Sequence, residues 1–271
     1  MKLLLFCFLV YFYFLLLSCF SIAVFGINAV PISSSVPTED FGEAVKNYLE
    51  KMKKVLPCGQ PSMAPFTKSF VPISSRTSDI ELELNITNLY VSGANTFEIV
   101  ASVYDNETQE YYLHLNSPHS QVLGSYSLYS KVNVGGIPVV LTGKGFINLT
   151  AQGTRVVITF VFGKNSQNGN LKMENLAFSD IAIGQFDSRI TGFMGDENYS
   201  NFLNNVFEKA VGLSQSDLFQ QLLTTRSEAA MKAFNQVVSQ FQNVNEVTEA
   251  LVKSTGILDA VFPGQPHCTL N

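Results

Sequence analysis

Apolar and polar residues alternate along the middle of the chain, and this pattern predicts long antiparallel β-strands. Apolar side chains occupy every second position from Ile137 to Leu141, from Ile147 to Ala151 and from Val156 to Phe162. A period of two is the pattern of a strand that buries one face. Asn168-Gly169 separates two such runs and suits a tight hairpin, because both residues tolerate positive φ. The segment from Gly135 to Phe186 therefore predicts an antiparallel meander.

The chain ahead of the meander predicts further strands. Residues 79–91 alternate, with a change of parity near Asn88 that indicates a bulge, and residues 97–103 alternate next. A turn is predicted at 105–107, and strands are predicted at 110–116 and 121–134. Residues 57–72 contain four prolines, which favour extended backbone and predict a connector.

Helical spacing of apolar residues appears before and after these strands in the sequence. Asp40 is a predicted N-cap, Glu43 completes a capping box, and Pro57 ends the helix that follows. After Gly195 the helical pattern returns in three pieces, with a break predicted near Thr224-Thr225 in the second. This order predicts an α+β fold in which long helices cover one face of a strongly bent antiparallel sheet.

The first residues predict a targeting segment. Lys2 precedes an uncharged run from Leu3 to Phe25, and small residues follow at Gly26 and Ala29. We interpret residues 1–29 as a secretory signal peptide cleaved between Gly26 and Ala29, and residues 30–271 as one domain. The run is also long enough for a signal anchor, which is the alternative.

Secretion changes the interpretation of the cysteines and of the asparagine sequons. Once the leader is removed, Cys58 and Cys268 remain, and an oxidising compartment predicts a disulfide between them. Free or intermolecular thiols are the alternative. Asn85 and Asn148 fall on the polar parity of predicted strands, where a glycan has room. The predicted glycosylation sites are Asn85, Asn106, Asn148 and Asn198.

Composition excludes several classes of function. The formal charge of −5 argues against nucleic acid and against anionic membrane surfaces as partners, since both select basic patches. The chain contains 22 Phe, and only 14% of its residues are charged, which favours an internal apolar cavity. No cofactor and no metal site are predicted, because Cys and His are few and scattered. Gly143-Lys144-Gly145 is interpreted as a strand bend.

Catalytic chemistry finds little support in the sequence. Gly124-Ser-Tyr-Ser departs from the Gly-x-Ser-x-Gly pattern of a nucleophile elbow. His114 and Ser117 are the one candidate for the Ser-His pair of a hydrolase, but no third group orients the histidine. The prediction is that the protein is not an enzyme.

Several sequence blocks, in order, resemble the takeout / juvenile hormone-binding protein family of insects. The chain departs from the family in lacking its close pair of cysteines near the first helix, and its tail is longer around Asn243–Ser254. The similar blocks are Leu49–Leu56 with Gly59-Gln-Pro-Ser-Met-Ala-Pro-Phe66, Asn88–Phe97, Pro138–Gly145, Leu171–Gly184, Asn204–Phe207 and Leu258–Pro263.

This resemblance implies a tubular lipid-binding fold, in which a curled antiparallel sheet wraps a long helix and encloses a hydrophobic tunnel. We therefore expect a secreted carrier of a small lipophilic ligand, such as a juvenile-hormone-like terpenoid or a fatty acid. On one predicted strand, Val157 and Val161 lie on one face and Ile158 and Phe160 lie on the other. Apolar residues on both faces predict that both faces are buried. The predicted lining residues are Phe66, Phe70, Tyr112, Tyr126, Val139, Ile158, Phe160, Phe178, Phe207 and Phe234.

The alternative function is an extracellular recognition protein that binds membrane or microbial lipid at a tip loop. Such a protein needs a cationic cluster, and Lys51, Lys53 and Lys54 form the one dense group in the sequence. In either case we expect no nucleic-acid partner and no stable membrane insertion. A cell-surface receptor is left open.

Overall fold

The computed structural model describes residues 40–55, 66–76, 80–93, 95–212 and 217–261. The predicted leader, Cys58, Cys268 and the connector up to residue 65 lie outside these ranges. The described elements are α1 (Phe41–Val55), β1 (Phe66–Arg76), β2 (Ile80–Ser92), β3 (Glu98–Asp105), β4 (Glu110–Val134), β5 (Ile137–Lys164), β6 (Leu171–Ile190), α2 (Glu197–Gly212), α3 (Asp217–Val238) and α4 (Val244–Val261).

The described strands form one curved antiparallel sheet of six strands. Its order is β1-β2-β4-β5-β6, and β3 pairs with the first half of β4. The helices α2 and α3 pack against β6, while α1 packs against β3 and α4. The predicted α+β class and the antiparallel meander are therefore confirmed.

Two local signals, the N-cap at Asp40 and the parity change near Asn88, form the structures that they predict, whereas the Glu43 side chain of the predicted capping box pairs with Lys46 instead. The backbone N–H of Glu43 donates to Asp40 Oδ1 at 2.8 Å, so Asp40 caps α1. The Glu43 carboxylate lies 3.5 Å from the Lys46 ammonium, with which it forms an exposed salt bridge. Asn88 has φ of 51°, and the β2–β4 register shifts by one residue there. This bulge returns Leu89 and Val91 to the buried face of the sheet.

Two predicted boundaries are wrong. The strands predicted at 110–116 and 121–134 form the single strand β4, because pairing with β5 resumes in the same register beyond Pro118. The break predicted near Thr224-Thr225 is absent, and α3 continues through it. Two threonines cost a helix only a few tenths of a kcal/mol each, so tertiary packing is enough to override them.

The buried residues form two hydrophobic cores at opposite ends of the long strands. The large core joins α1, α3 and α4 to the first half of β4, the second half of β5 and the start of β6. The small core joins α2 to β2, the second half of β4 and the first half of β5. Each long strand therefore belongs to both cores.

Side chains of opposite parity fill the two cores. In β4 the buried residues are odd-numbered near Tyr111 and even-numbered near Tyr126, and β5 changes parity between Ala151 and Thr154. The register is constant through this change, with Ser117 opposite Thr154 and His119 opposite Gln152. Pro118 and Gly153 lie between these pairs, and Gly153 has φ of +61°. We call residues 117–119 and 152–154 the crossover step.

Two asparagines on helices occupy the free edge of β6. Asn235 of α3 accepts from Met173 N at 2.6 Å and donates to Met173 O at 3.0 Å. Asn204 of α2 accepts from Ile190 N at 2.8 Å and donates to Ile190 O at 3.1 Å. Each carboxamide replaces a neighbouring strand at one residue, which protects an edge that is otherwise open to pairing with another chain.

Candidate functional site

The large core is closed by aromatic side chains around α1. The Phe41 ring lies 5.4 Å from Tyr104, 5.2 Å from Tyr111 and 5.2 Å from Phe162, each in an edge-on arrangement. Phe160 contacts Tyr111 and Phe162 in the same group, and its ring lies 5.8 Å from that of Phe234. These contacts fill this end of the interior with protein side chains.

A buried phenol fixes α1 to the sheet at this end. Tyr111 is fully buried, and its hydroxyl lies 2.9 Å from Ser102 Oγ. Ser102 Oγ in turn donates to the Gly42 carbonyl at 2.6 Å. A Cβ at Gly42 would lie 2.8 Å from the Ser102 carbonyl oxygen, so only glycine allows this close approach. Burial holds the pKa of Tyr111 well above its usual range, although its bond to Ser102 opposes the shift.

The small core is covered by residues 191–195, which we call the strap. Thr191 N donates to Phe146 O at 3.0 Å, and Lys144 N donates to Gly192 O at 3.2 Å. A Cβ at Gly145 would lie 2.0 Å from the Thr191 carbonyl oxygen, so the strap requires glycine there. The Gly143-Lys144-Gly145 sequence is thus a place of close backbone approach rather than a simple strand bend.

The crossover step contains a buried hydroxyl without a partner. Thr154 is 2% exposed, and within the described chain its Oγ1 has no hydrogen-bond partner. It lies opposite Ser117 on β4 and Ile183 on β6. Apolar side chains that are only partly buried adjoin the cores: Leu115 and Ile181 at the large core, Val122 and Phe186 at the small core. The crossover step thus holds a buried hydroxyl within two residues of Val156, a member of the large core.

The structure divides the predicted lining residues into three groups. Phe70, Tyr112 and Val139 are 52%, 37% and 40% exposed, so it does not place them in the interior. The physical reason for Tyr112 is that successive side chains of a strand point to opposite faces. Tyr111 and Leu113 fill the large core from one face of β4, so Tyr112 between them lies on the other face. The Phe66 side chain lies outside the described part. The interior members are Ile158, Phe160, Phe178 and Phe234 at the large core and Tyr126 and Phe207 at the small core.

The predicted sequons also have defined positions. Asn106 and Asn198 are exposed, in the β3–β4 turn and at the start of α2. Asn85 and Asn148 are half-buried on β2 and β5, and Asn148 Oδ1 accepts from Gln121 Nε2 at 3.1 Å. A glycan on Asn148 therefore has to displace a hydrogen bond within the sheet.

The residues considered for catalysis lie apart. His114 and Ser117 have opposite parity on β4, so their side chains leave opposite faces of the strand. In the described part, His114 Nε2 is buried without a hydrogen-bond partner, and no group of three potential metal ligands occurs.

Lys53 of α1 is not part of a free cationic surface. Lys53 Nζ donates to Glu50 Oε1 at 2.8 Å and to the Phe97 carbonyl at 2.9 Å, and it lies 5.0 Å from the Phe97 ring centroid. Lys53 therefore attaches the end of α1 to the start of β3. The alternative function therefore loses Lys53 from the cluster on which it depended.

An open groove of about 680 Å³ lies between the strap and the start of α2. Its walls carry charges of both signs beside hydroxyl and amide groups, which suits water rather than an apolar molecule. Among its lining residues are Thr142, Lys144, Arg189, Asp196, Ser200 and Asn204.

Comparison with known proteins identifies the family. The model of the haemolymph juvenile hormone binding protein family matches residues 14–244. The chain belongs to this family. The match confirms the resemblance seen in the sequence blocks, and it ends where α4 begins. No curated protein matches the chain.

Two solved structures are similar to this member of the family. Takeout 1 of Epiphyas postvittana is 11% identical, with a TM-score of 0.43, and the match covers 72% of this chain and 92% of that one. Lipopolysaccharide binding protein is 12% identical, with a TM-score of 0.28, and the match covers 74% of this chain and 38% of that one. Among the described residues, no helix has the length and apolar character to span a membrane.

Proposed function

We propose that the protein is a secreted carrier that binds a small lipophilic ligand in its interior, at the crossover step between the two cores. Membership of the haemolymph juvenile hormone binding protein family supports the ligand class. The unpartnered hydroxyl of Thr154 is the structural observation that supports the location. A juvenile-hormone-like terpenoid and a fatty acid both fit, since each joins an apolar chain to a polar oxygen.

The energetics of Thr154 favour a ligand with a hydrogen-bonding group. A buried hydroxyl that lacks a partner costs roughly 1–3 kcal/mol. An ester, carboxyl or epoxide oxygen that accepts from Oγ1 removes this cost, whereas a pure hydrocarbon does not. Leu115 and Ile181, which pack against the large core on the parity of Thr154, are the side chains that we propose as the apolar wall. Burial of about 300 Å² of ligand surface contributes roughly 7 kcal/mol before entropy losses.

The test separates the hydroxyl from the apolar wall by using two fluorescent probes. Parinaric acid carries a carboxyl group, and diphenylhexatriene is a hydrocarbon. We expect wild-type protein to bind both, and Thr154→Val to weaken parinaric acid by about 2- to 10-fold without changing diphenylhexatriene. Thr154→Ser, which keeps the hydroxyl, is the matched control and retains the affinity for parinaric acid.

A stability measurement completes this test. Because Thr154 Oγ1 has no partner in the described chain, replacing it with the nearly isosteric Val should leave the free energy of unfolding unchanged or raise it. A loss of more than about 1 kcal/mol would mean that the hydroxyl has a structural role. Failure of wild-type protein to bind either probe would reject the carrier function itself.

Secretion is part of the proposal and is tested separately. We propose that residues 1–29 are removed between Gly26 and Ala29, that Cys58 and Cys268 are joined by a disulfide, and that glycans occupy the exposed sequons Asn106 and Asn198. Intact-mass measurement of protein from a secreting eukaryotic culture, with and without reduction and glycosidase, checks each point. Retention of the protein in the membrane fraction would favour the signal anchor.

A further inference from the structure

The β4–β5 hairpin ends in an exposed apolar tip. Ile137 is 67% exposed, Val140 is 44% exposed, and Tyr129, two residues before Lys131, is 41% exposed. The hairpin turns at Gly135-Gly136, where φ is +59° and +88°, the pattern of a type I′ turn. A Cβ at either glycine would have no atom within 4 Å, so the tip stands clear of the rest of the described molecule.

The strands on either side stop short of this tip. β2 begins with Ile80, opposite Val132, and β6 ends with Ile190, opposite Ile147. The strap reaches only as far as Thr142, whose carbonyl accepts from Met194 N. In the described structure, residues 133–138 therefore form a two-stranded projection, and Val140 lies at its base, opposite Lys131. Exposure of an apolar end to water is unfavourable, and a partner that covers this end removes the cost.

The charges around the tip indicate which partner fits. The sequence contains no Asp or Glu from Tyr111 to Met173, although the whole chain has 22 acidic residues and a net charge of −5. Lys131 and Lys144 are exposed on the two strands of the hairpin, and neither forms a salt bridge in the described part. Lys131 lies beside the tip, whereas Lys144 lines the groove with Asp196 and Glu197. Glu81 is the register partner of Lys131, and its carboxylate is bonded to Arg76.

Glu83, opposite Tyr129, is the next carboxylate along β2. The tip thus combines branched apolar side chains with a lysine and a tyrosine at its base. Aliphatic and aromatic groups enter the boundary between lipid headgroups and acyl chains, while lysines stay at the headgroups and attract anionic lipid. The overall negative charge does not prevent this, because salt limits electrostatic interaction to about 8 Å at physiological ionic strength.

We propose that the β4–β5 tip is a docking surface for anionic lipid bilayers, through which the carrier reversibly contacts membranes. Ile137 and Val140 enter the interface, and Lys131 binds headgroup phosphate or carboxylate. The contact is peripheral, so the predicted absence of stable membrane insertion stands. The sequence argument from net charge missed it because charge is unevenly distributed along the chain.

Vesicle flotation of the full secreted chain tests the proposal. The vesicles are phosphatidylcholine alone and phosphatidylcholine with about 30% phosphatidylserine, a composition that gives a negative surface. We expect binding to the anionic vesicles that falls as salt is raised. I137S/V140S should lose at least about tenfold of this binding. Lys131→Gln should lose about fivefold on anionic vesicles, since one lysine contributes about 1 kcal/mol there.

The controls keep the outcome interpretable. Val100→Ser/Val103→Ser removes two equally exposed apolar side chains on β3 and should leave flotation unchanged. All variants should bind parinaric acid in solution as wild type does, which separates docking from ligand binding. The proposal is rejected if wild type floats with neither vesicle, or if the β3 control loses as much binding as the tip variant. It is also rejected if I137S/V140S abolishes only a concentration-dependent dimer in sedimentation, because the occupant is then a second copy of this chain.

Discussion

The asparagine on α3 that occupies the edge of β6 offers a quantitative test of how the helices hold the sheet. Asn235 bonds both the N–H and the C=O of Met173, and Met173 is only 1% exposed, so water does not replace these partners. Asn235→Leu keeps the branched shape and the number of side-chain heavy atoms but removes both bonds. Loss of two hydrogen bonds to buried backbone groups predicts a decrease of about 2–4 kcal/mol in the free energy of unfolding.

Urea unfolding followed by far-ultraviolet circular dichroism is the assay, because the chain has no Trp for fluorescence. For a domain of this size, the decrease corresponds to about 5–15 °C in Tm. Gln236→Leu, one residue along α3 and exposed, is the matched control and should change stability by less than about 0.5 kcal/mol. If Asn235→Leu costs no more than the control, the carboxamide does not stabilise the edge and the reasoning is wrong.

Two further predictions concern the strap and the buried phenols. Gly145→Ala places a Cβ 2.0 Å from the Thr191 carbonyl oxygen and should destabilise the protein by about 3 kcal/mol or more, whereas Gly169→Ala, with open space around it, should cost only about 1–2 kcal/mol in thermal unfolding. Burial raises the pKa of Tyr48 and Tyr126 to about 12, so the folded state retains protons that the unfolded state loses above about pH 10. Stability that is fully present below pH 10 should therefore fall between pH 10 and 12, and Tyr126→Phe should make this fall shallower in pH-dependent urea unfolding. A fall of equal steepness in the variant would show that Tyr126 is not among the groups responsible.

Short-range signals explain why parts of the fold are predictable from sequence. Asp40 caps α1 through a neighbour three residues away, and the parity change near Asn88 is visible within β2 itself. Each depends on a few consecutive residues, so its physical cause is contained in the sequence pattern. The Asn168-Gly169 turn belongs to the same class, and Gly169 has φ of +71°.

Long-range partners explain what the sequence pattern misses. Within a helical stripe, Asn204 and Asn235 look only like poor helix formers, and their role depends on which strand edge the helix meets. The parity change across Pro118 and Gly153 has a signal, because buried positions near Tyr111 are odd and those near Tyr126 are even. The separate strands predicted at 110–116 and 121–134 leave a gap around Pro118, although pairing with β5 keeps one register across it.

The candidate site, too, is predictable from the sequence only in part. Phe70, Tyr112 and Val139 were predicted by residue type, but strand register decides which face a side chain occupies, and the ladder puts them outside. Thr154 escaped prediction because a single threonine in a strand is common and its missing partner exists only in three dimensions. Ile158 and Phe160 were assigned to the interior because the alternation of β5 around them is strong.

Mass spectrometry of what co-purifies with the secreted full-length protein tests the carrier function most directly. The protein is extracted with organic solvent, and its lipid content is compared with that of an equal amount of an unrelated secreted protein from the same culture. We predict close to one lipophilic molecule with a polar oxygen per chain, displaced by parinaric acid in a saturable titration. Extracts without any such molecule, together with no saturable probe binding, would contradict the proposed carrier function.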